Sequence, residues 1–148
     1  MSTVISSPAV LRTTLVATQG PPGPPGANGA PGTGGVQTCV LTAARDLSGH
    51  RVVVAFGGAD YADPTDPDHA DLVVGITTGA ALSGDDVIVQ AAGEMVESTW
   101  NWSPGPVWCG ALGTLTQTAP TSGWSQIVAT ALAPTRILIT GRQALNLA

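Results

Sequence analysis

Asp60, Asp63, Asp66, Asp68 and Asp71 crowd residues 60–71, and carboxylate oxygens at such density are the donors that Ca²⁺ prefers. Asp63, Asp66 and Asp68 form the candidate set. Their spacing is not that of the twelve-residue calcium loop, and the pairs Asp63-Pro64 and Asp66-Pro67 start turns. A solvated turn is therefore the expected state, and no metal is assigned. His50 and His69 are the only histidines, and neither has a cysteine at ligand spacing, so a zinc site would have to draw donors from other subunits. Serines are plentiful, but none stands in Gly-x-Ser-x-Gly, and Ser, His and Asp scattered through a chain do not make a triad. These residues predict neither an enzyme nor a cofactor.

Trp100, Trp102, Trp108 and Trp124 stand in a chain with one Phe and one Tyr. On a strand Trp100 and Trp102 share a face. Such a platform suits a surface glycan, with Glu94, Glu97 and Asn101 as polar contacts. Large amphipathic rings serve equally well in a core or between subunits, and that use is the preferred expectation.

The elements that carry these residues follow from composition. At 148 residues the chain has room for one compact unit of about 100 residues and an appendage. Only 10% of residues are charged, while Gly numbers 19 and Pro 12, a balance that points away from helices. Lysine is absent, and Arg12, Arg45, Arg51, Arg136 and Arg142 are scattered in a chain of net charge -5. Nucleic acid is excluded as a partner, since its binding draws on clustered cations at phosphates. Residues 1–19 show no basic segment ahead of an apolar run, and no stretch approaches the ~20 apolar residues that span a bilayer. The expectation is a soluble chain made in the cytoplasm, no membrane partner, and Cys39 and Cys109 as free thiols.

Glycine recurs at every third position, Gly20, Gly23, Gly26, Gly29, Gly32 and Gly35, and the first two triplets are Gly-Pro-Pro. Three polyproline II strands wound together bring each third residue to an axis with no space for a β-carbon, and proline presets the backbone at the other positions. The period separates this run from an aperiodic Pro/Gly linker. At ~3.1 Å per residue it predicts a triple-helical rod of about 50 Å. So short a rod has the ordering entropy of its chains against it. A head that trimerises raises the effective concentration of the stems and makes their association nearly intramolecular. The expected organisation is an N-terminal attachment segment over 1–19, with Val4, Ile5, Val10, Leu11, Leu15 and Val16 as its apolar contacts, a collagen-like stem over 20–37 and a β-rich head over 38–148.

Over the head, short apolar runs alternate with turn formers, which predicts strands at 38–41, 51–56, 72–77, 86–91, 106–109, 114–118, 126–132 and 136–140. The spacing is that of an all-β sandwich or barrel. Val52-Val53-Val54-Ala55-Phe56, Leu72-Val73-Val74 and Ile137-Leu138-Ile139 are apolar nearly throughout, so both faces are expected to be covered. A neighbouring subunit would do this, as would a second layer of the same chain.

The blocks Asp63-Pro64-Thr65-Asp66-Pro67-Asp68-His69-Ala70, Val74-Gly75-Ile76-Thr77-Thr78-Gly79-Ala80-Ala81, Gly93-Glu94-Met95, Trp100-Asn101-Trp102-Ser103-Pro104-Gly105 and Gly113-Thr114-Leu115-Thr116-Gln117-Thr118-Ala119-Pro120 follow one another in an order that resembles a C-terminal domain of tailed-bacteriophage structural proteins, often placed after collagen-like repeats. The resemblance covers roughly residues 38–148, with Gly123-Trp124 where the family often has Gly-Phe. It implies a homotrimeric virion component, a short fibre or spike on head or tail or a decoration of the capsid surface, in contact with other capsid or tail proteins; a host surface glycan as a further partner follows from the tryptophan platform alone. A capsid cement protein is the alternative within the virion. A cell-surface collagen-like recognition protein with a jelly-roll head is the alternative outside it, and would ordinarily carry an export signal.

Overall fold

The computed structural model describes residues 35–147. The expectations placed on Gly20, Gly23, Gly26, Gly29 and Gly32, and on Val4, Ile5, Val10, Leu11, Leu15 and Val16, lie outside the described residues.

The described chain is all-β. Its strands are β1 (Gln37–Thr42), β2 (Val52–Ala55), β3 (Ala59–Tyr61), β4 (Val73–Thr77), β5 (Asp86–Val96), β6 (Gly105–Cys109), β7 (Leu115–Thr116), β8 (Trp124–Ser125), β9 (Ile127–Ala133), β10 (Arg136–Ile139) and β11 (Leu145–Asn146), with single 3-10 turns at Pro67–His69 and Ala111–Gly113. The first strand begins at Gln37, inside the stretch assigned above to the stem. Three short strands, β3, β8 and β11, fall where no strand was expected, and β5 runs on to Val96 where its end was expected at residue 91.

One antiparallel sheet runs in the order β3-β2-β4-β5-β10-β9-β6-β7, with β1 added to β5, and β8 and β11 pair separately. The sheet curls around β5, whose first half pairs with β1 and β4 and whose second half, Gly93 to Val96, pairs with β10. A register shift in the β1–β5 ladder opposite Gln37 and Thr38 marks the changeover, together with Gly93 at φ +100°. That backbone angle is costly for any residue with a β-carbon. The curl also brings Ala43, just past β1, to a bridge with Ala59 in β3.

Two cores result, and β2 lies between them. Val53 joins Ala43, Leu47, Tyr61, Val87 and Val89 inside the curl formed by β1 to β5. Val52 and Val54 face the other way, with Ile76, toward Val107, Ala129 and Ile137 of β6, β9 and β10. All three valines are fully buried, each side chain stabilising the fold by about 1.5–3 kcal/mol through lost water contact. The same chain thus covers both faces of β2, and its unbroken apolar run calls for no neighbouring subunit, contrary to one of the two expectations above.

The face that carries Val52 continues across the sheet. Val52 pairs with Ile76, Ile76 with Gln90, and Gln90 with Thr38 of β1; paired residues share a face. Over β2 and β4 that face is buried beneath β6, β9 and β10. Beyond Gln90 the cover ends, and the pair Ile88 and Val40 stands 49% and 59% exposed.

Candidate functional site

The acidic loop folds onto its own backbone. Asp63 Oδ1 accepts hydrogen bonds from the Thr65 amide at 3.0 Å and the Thr65 hydroxyl at 2.8 Å. Asp66 Oδ1 accepts from the Asp68 amide at 2.9 Å and so caps the turn Pro67–His69. Asp60 Oδ1 accepts from the Tyr61 amide and stands 3.7 Å from Arg45 Nη1. These are the local side-chain bonds that aspartates make in turns. Asp63, Asp66 and Asp68 are not gathered around a common point, and among the described residues no group of three or more His, Cys, Asp or Glu side chains is placed to hold a metal ion.

His69 is buried under this loop, its Nδ1 accepting from the Asp63 amide at 3.1 Å. That bond leaves the proton on Nε2, 3.5 Å from Asp66 Oδ2. The Phe56 ring meets its edge at a centroid distance of 5.7 Å. His50, at φ +58°, lies instead against Trp100, ring centroids 5.2 Å apart.

Several blocks of the sequence resemblance meet at backbone contacts. The Trp124 amide donates to the Pro64 carbonyl at 3.0 Å and its indole Nε1 to the Asp66 carbonyl at 2.8 Å, which latches residues 64–66 to β8. Gly123, at φ +77°, passes so close that a β-carbon would overlap the Pro64 carbonyl. Gly113, at φ +72°, donates its amide to Ala62 at 2.6 Å, and a β-carbon there would overlap the Val52 carbonyl. These residues hold the architecture; none presents a reactive group.

The tryptophans are divided among three places. Trp124 is buried in the core that also holds Val52, Ile76 and Val107. Trp100 and Trp102 lie in the segment after β5, off any strand, with ring centroids 5.7 Å apart and both packed against that core. Trp108, on β6, is half-buried beside a shallow groove of about 220 Å³ that it lines with Ser125, Ile127, Arg142, Gln143 and Leu145. Trp100 and Trp102 thus lie between strands, as the expected bounds 86–91 and 106–109 leave them, so no strand sets their shared face, and the two rings adjoin from a loop. Of the polar residues named with them, Glu94 Oε2 is 2.8 Å from Arg136 Nε. Glu97 accepts from the Thr99 hydroxyl at 2.7 Å, which with the Thr99 amide holds its carboxyl below the usual range. Asn101 is exposed.

Both thiols are free. Burial, with a smaller contribution from the Asp63 charge, pushes Cys109 up to about 12, so it stays protonated near neutral pH and is no nucleophile there. Cys39 is half-buried on the side of the interior core. A broader groove of about 410 Å³ is lined by Thr65, Thr114, Thr116, Thr118, Thr121 and Ser122 together with small apolar residues, and no titratable side chain reaches it. No helix among the described residues is long and apolar enough to cross a membrane.

What the spacing of the sequence did not single out is the exposed apolar strip of Val36, Val40 and Ile88. Its signal was present in Val87-Ile88-Val89, where an apolar residue stands between two others that must point inward.

No family model, curated protein or solved structure matches this chain.

Proposed function

We propose that the chain is a non-enzymatic structural subunit that assembles as a homotrimer through its Gly-X-Y run and serves as a short fibre or spike on the virion of a tailed bacteriophage. The observation that carries the trimer is the glycine register from Gly20 to Gly35 immediately ahead of a β-rich unit. At Gly35 a β-carbon would meet nothing among the described residues within 4 Å, so no packing against them asks for glycine there. The virion assignment rests on the resemblance in block order. It suits the way those blocks are used, because Gly113, Gly123 and Trp124 secure loops to strands instead of building a reaction centre.

Light scattering on the full chain should give about three times the 14.8 kDa chain mass, and a monomer at micromolar concentration would overturn the trimer. Gly26→Ala should lower the melting transition of the stem and leave the head folded; an unchanged transition would mean that the run is a linker. Density for the chain on the particle tests the virion assignment, and its absence there would end it. Adsorption and shell-stability assays on particles lacking the chain separate attachment to the host from cementing of the capsid.

A further inference from the structure

We infer that the exposed face of β1 and the first half of β5, centred on Val36, Val40 and Ile88, is the surface on which further copies of this chain pack, an inference that rests on the trimer proposed above and names where its head closes.

Three observations converge on that strip. Val40 and Ile88 continue the face that is buried over β2 and β4, yet they are 59% and 49% exposed, and Val36, just ahead of β1, is 57% exposed. The strand beside them is unprotected: β1 pairs with β5 alone, and Gln37-Thr38-Cys39-Val40-Leu41-Thr42 holds no charge and no proline. Sheet edges that remain in water ordinarily carry such residues, so a bare edge of this length is one that becomes covered. The third observation is continuity of the chain, for Gly35 closes the Gly-X-Y register and Val36 follows it directly. Three chains joined through that register bring their β1 strands into one neighbourhood at high effective concentration. A strand without charge sets up no like-charge repulsion against a copy of itself.

Val40→Asp combined with Ile88→Asp in the full chain places carboxylates on an exposed face, where the isolated fold tolerates them. The expected result is a fall from about three times 14.8 kDa to the chain mass, with the β-sheet circular dichroism of the head retained. Leu82→Asp, at a residue 64% exposed elsewhere, should leave the mass unchanged. A double variant that stays trimeric with the wild-type melting curve overturns the surface and leaves the trimer standing, whereas a monomeric wild type overturns both. Should the double variant fail to fold, p-benzoylphenylalanine at position 40 of the full chain gives a second test. Light should then yield dimer and trimer bands on a denaturing gel, and the same probe at position 82 none. Absence of those bands at position 40 in a trimeric sample would overturn the assignment.

Discussion

Ile76 and Ile88 stand one strand apart on the same face of the same sheet, yet Ile76 is wholly buried and Ile88 half in water. Nothing in the two residues accounts for this. The difference lies in where the second half of the sheet reaches: β6, β9 and β10 lie over β2 and β4 and stop short of β1. Apolar character along a strand thus reports that something covers it without saying whether the cover comes from the same chain. In β2 it does, on both faces; at Ile88 and Val40 it does not.

Truncation at the covered position should have the largest effect. Ile76→Ala is expected to destabilise the head by about 2–5 kcal/mol in urea unfolding, because the hole forms in a packed core. Val53→Ala tests the interior of the curl, where the loss of apolar contact at ~0.8 kcal/mol per carbon plus a cavity contribution gives about 2 kcal/mol. A negligible cost there would show that the inner cluster is not a core and would reduce the comparison to one buried face. The covered side also has a pH signature in Cys109, raised from 9.0 to about 12 when folded. Between these values the unfolded chain holds fewer protons than the folded one, so stability is complete below about pH 9 and falls above it by up to ~1.4 kcal/mol per pH unit. Urea midpoints measured up to pH 10.5 should show this slope, and Cys109→Ala should remove it. The smallest effect belongs to the uncovered side: Ile88→Ala should change the stability of the dissociated chain by no more than ~0.5 kcal/mol. A cost there equal to that at Ile76 would mean that the face is buried within the chain after all.

The strands that the sequence announced are those long enough to show a pattern, such as β2, β9 and β10. Ala59–Tyr61, Trp124–Ser125 and Leu145–Asn146 are too short for any period, and what fixes them is a partner distant in sequence, as when Leu145 pairs with Ser125. The expected end of β5 at residue 91 falls just short of Gly93, which bends the strand and lets it continue into the second ladder. Among the candidate site residues, the turn-forming use of Asp63 and Asp66 was legible, since Asp-Pro pairs bond locally. The contact between the Trp100 and Trp102 rings was not, because in a loop sequence spacing sets no face, and what fixes the segment is the distant bond from the Trp102 amide to the Pro134 carbonyl. The exposed strip was hidden for the reason that Ile76 and Ile88 differ: the reach of the covering layer is a property of topology.

Because β5 contributes Val87 and Val89 to one core and Met95 to the other, while β2 supplies valines to both, neither half has a boundary along which it can open alone. The head should melt in a single cooperative step, and its amides slowest to exchange with deuterium should be those of the two shared strands.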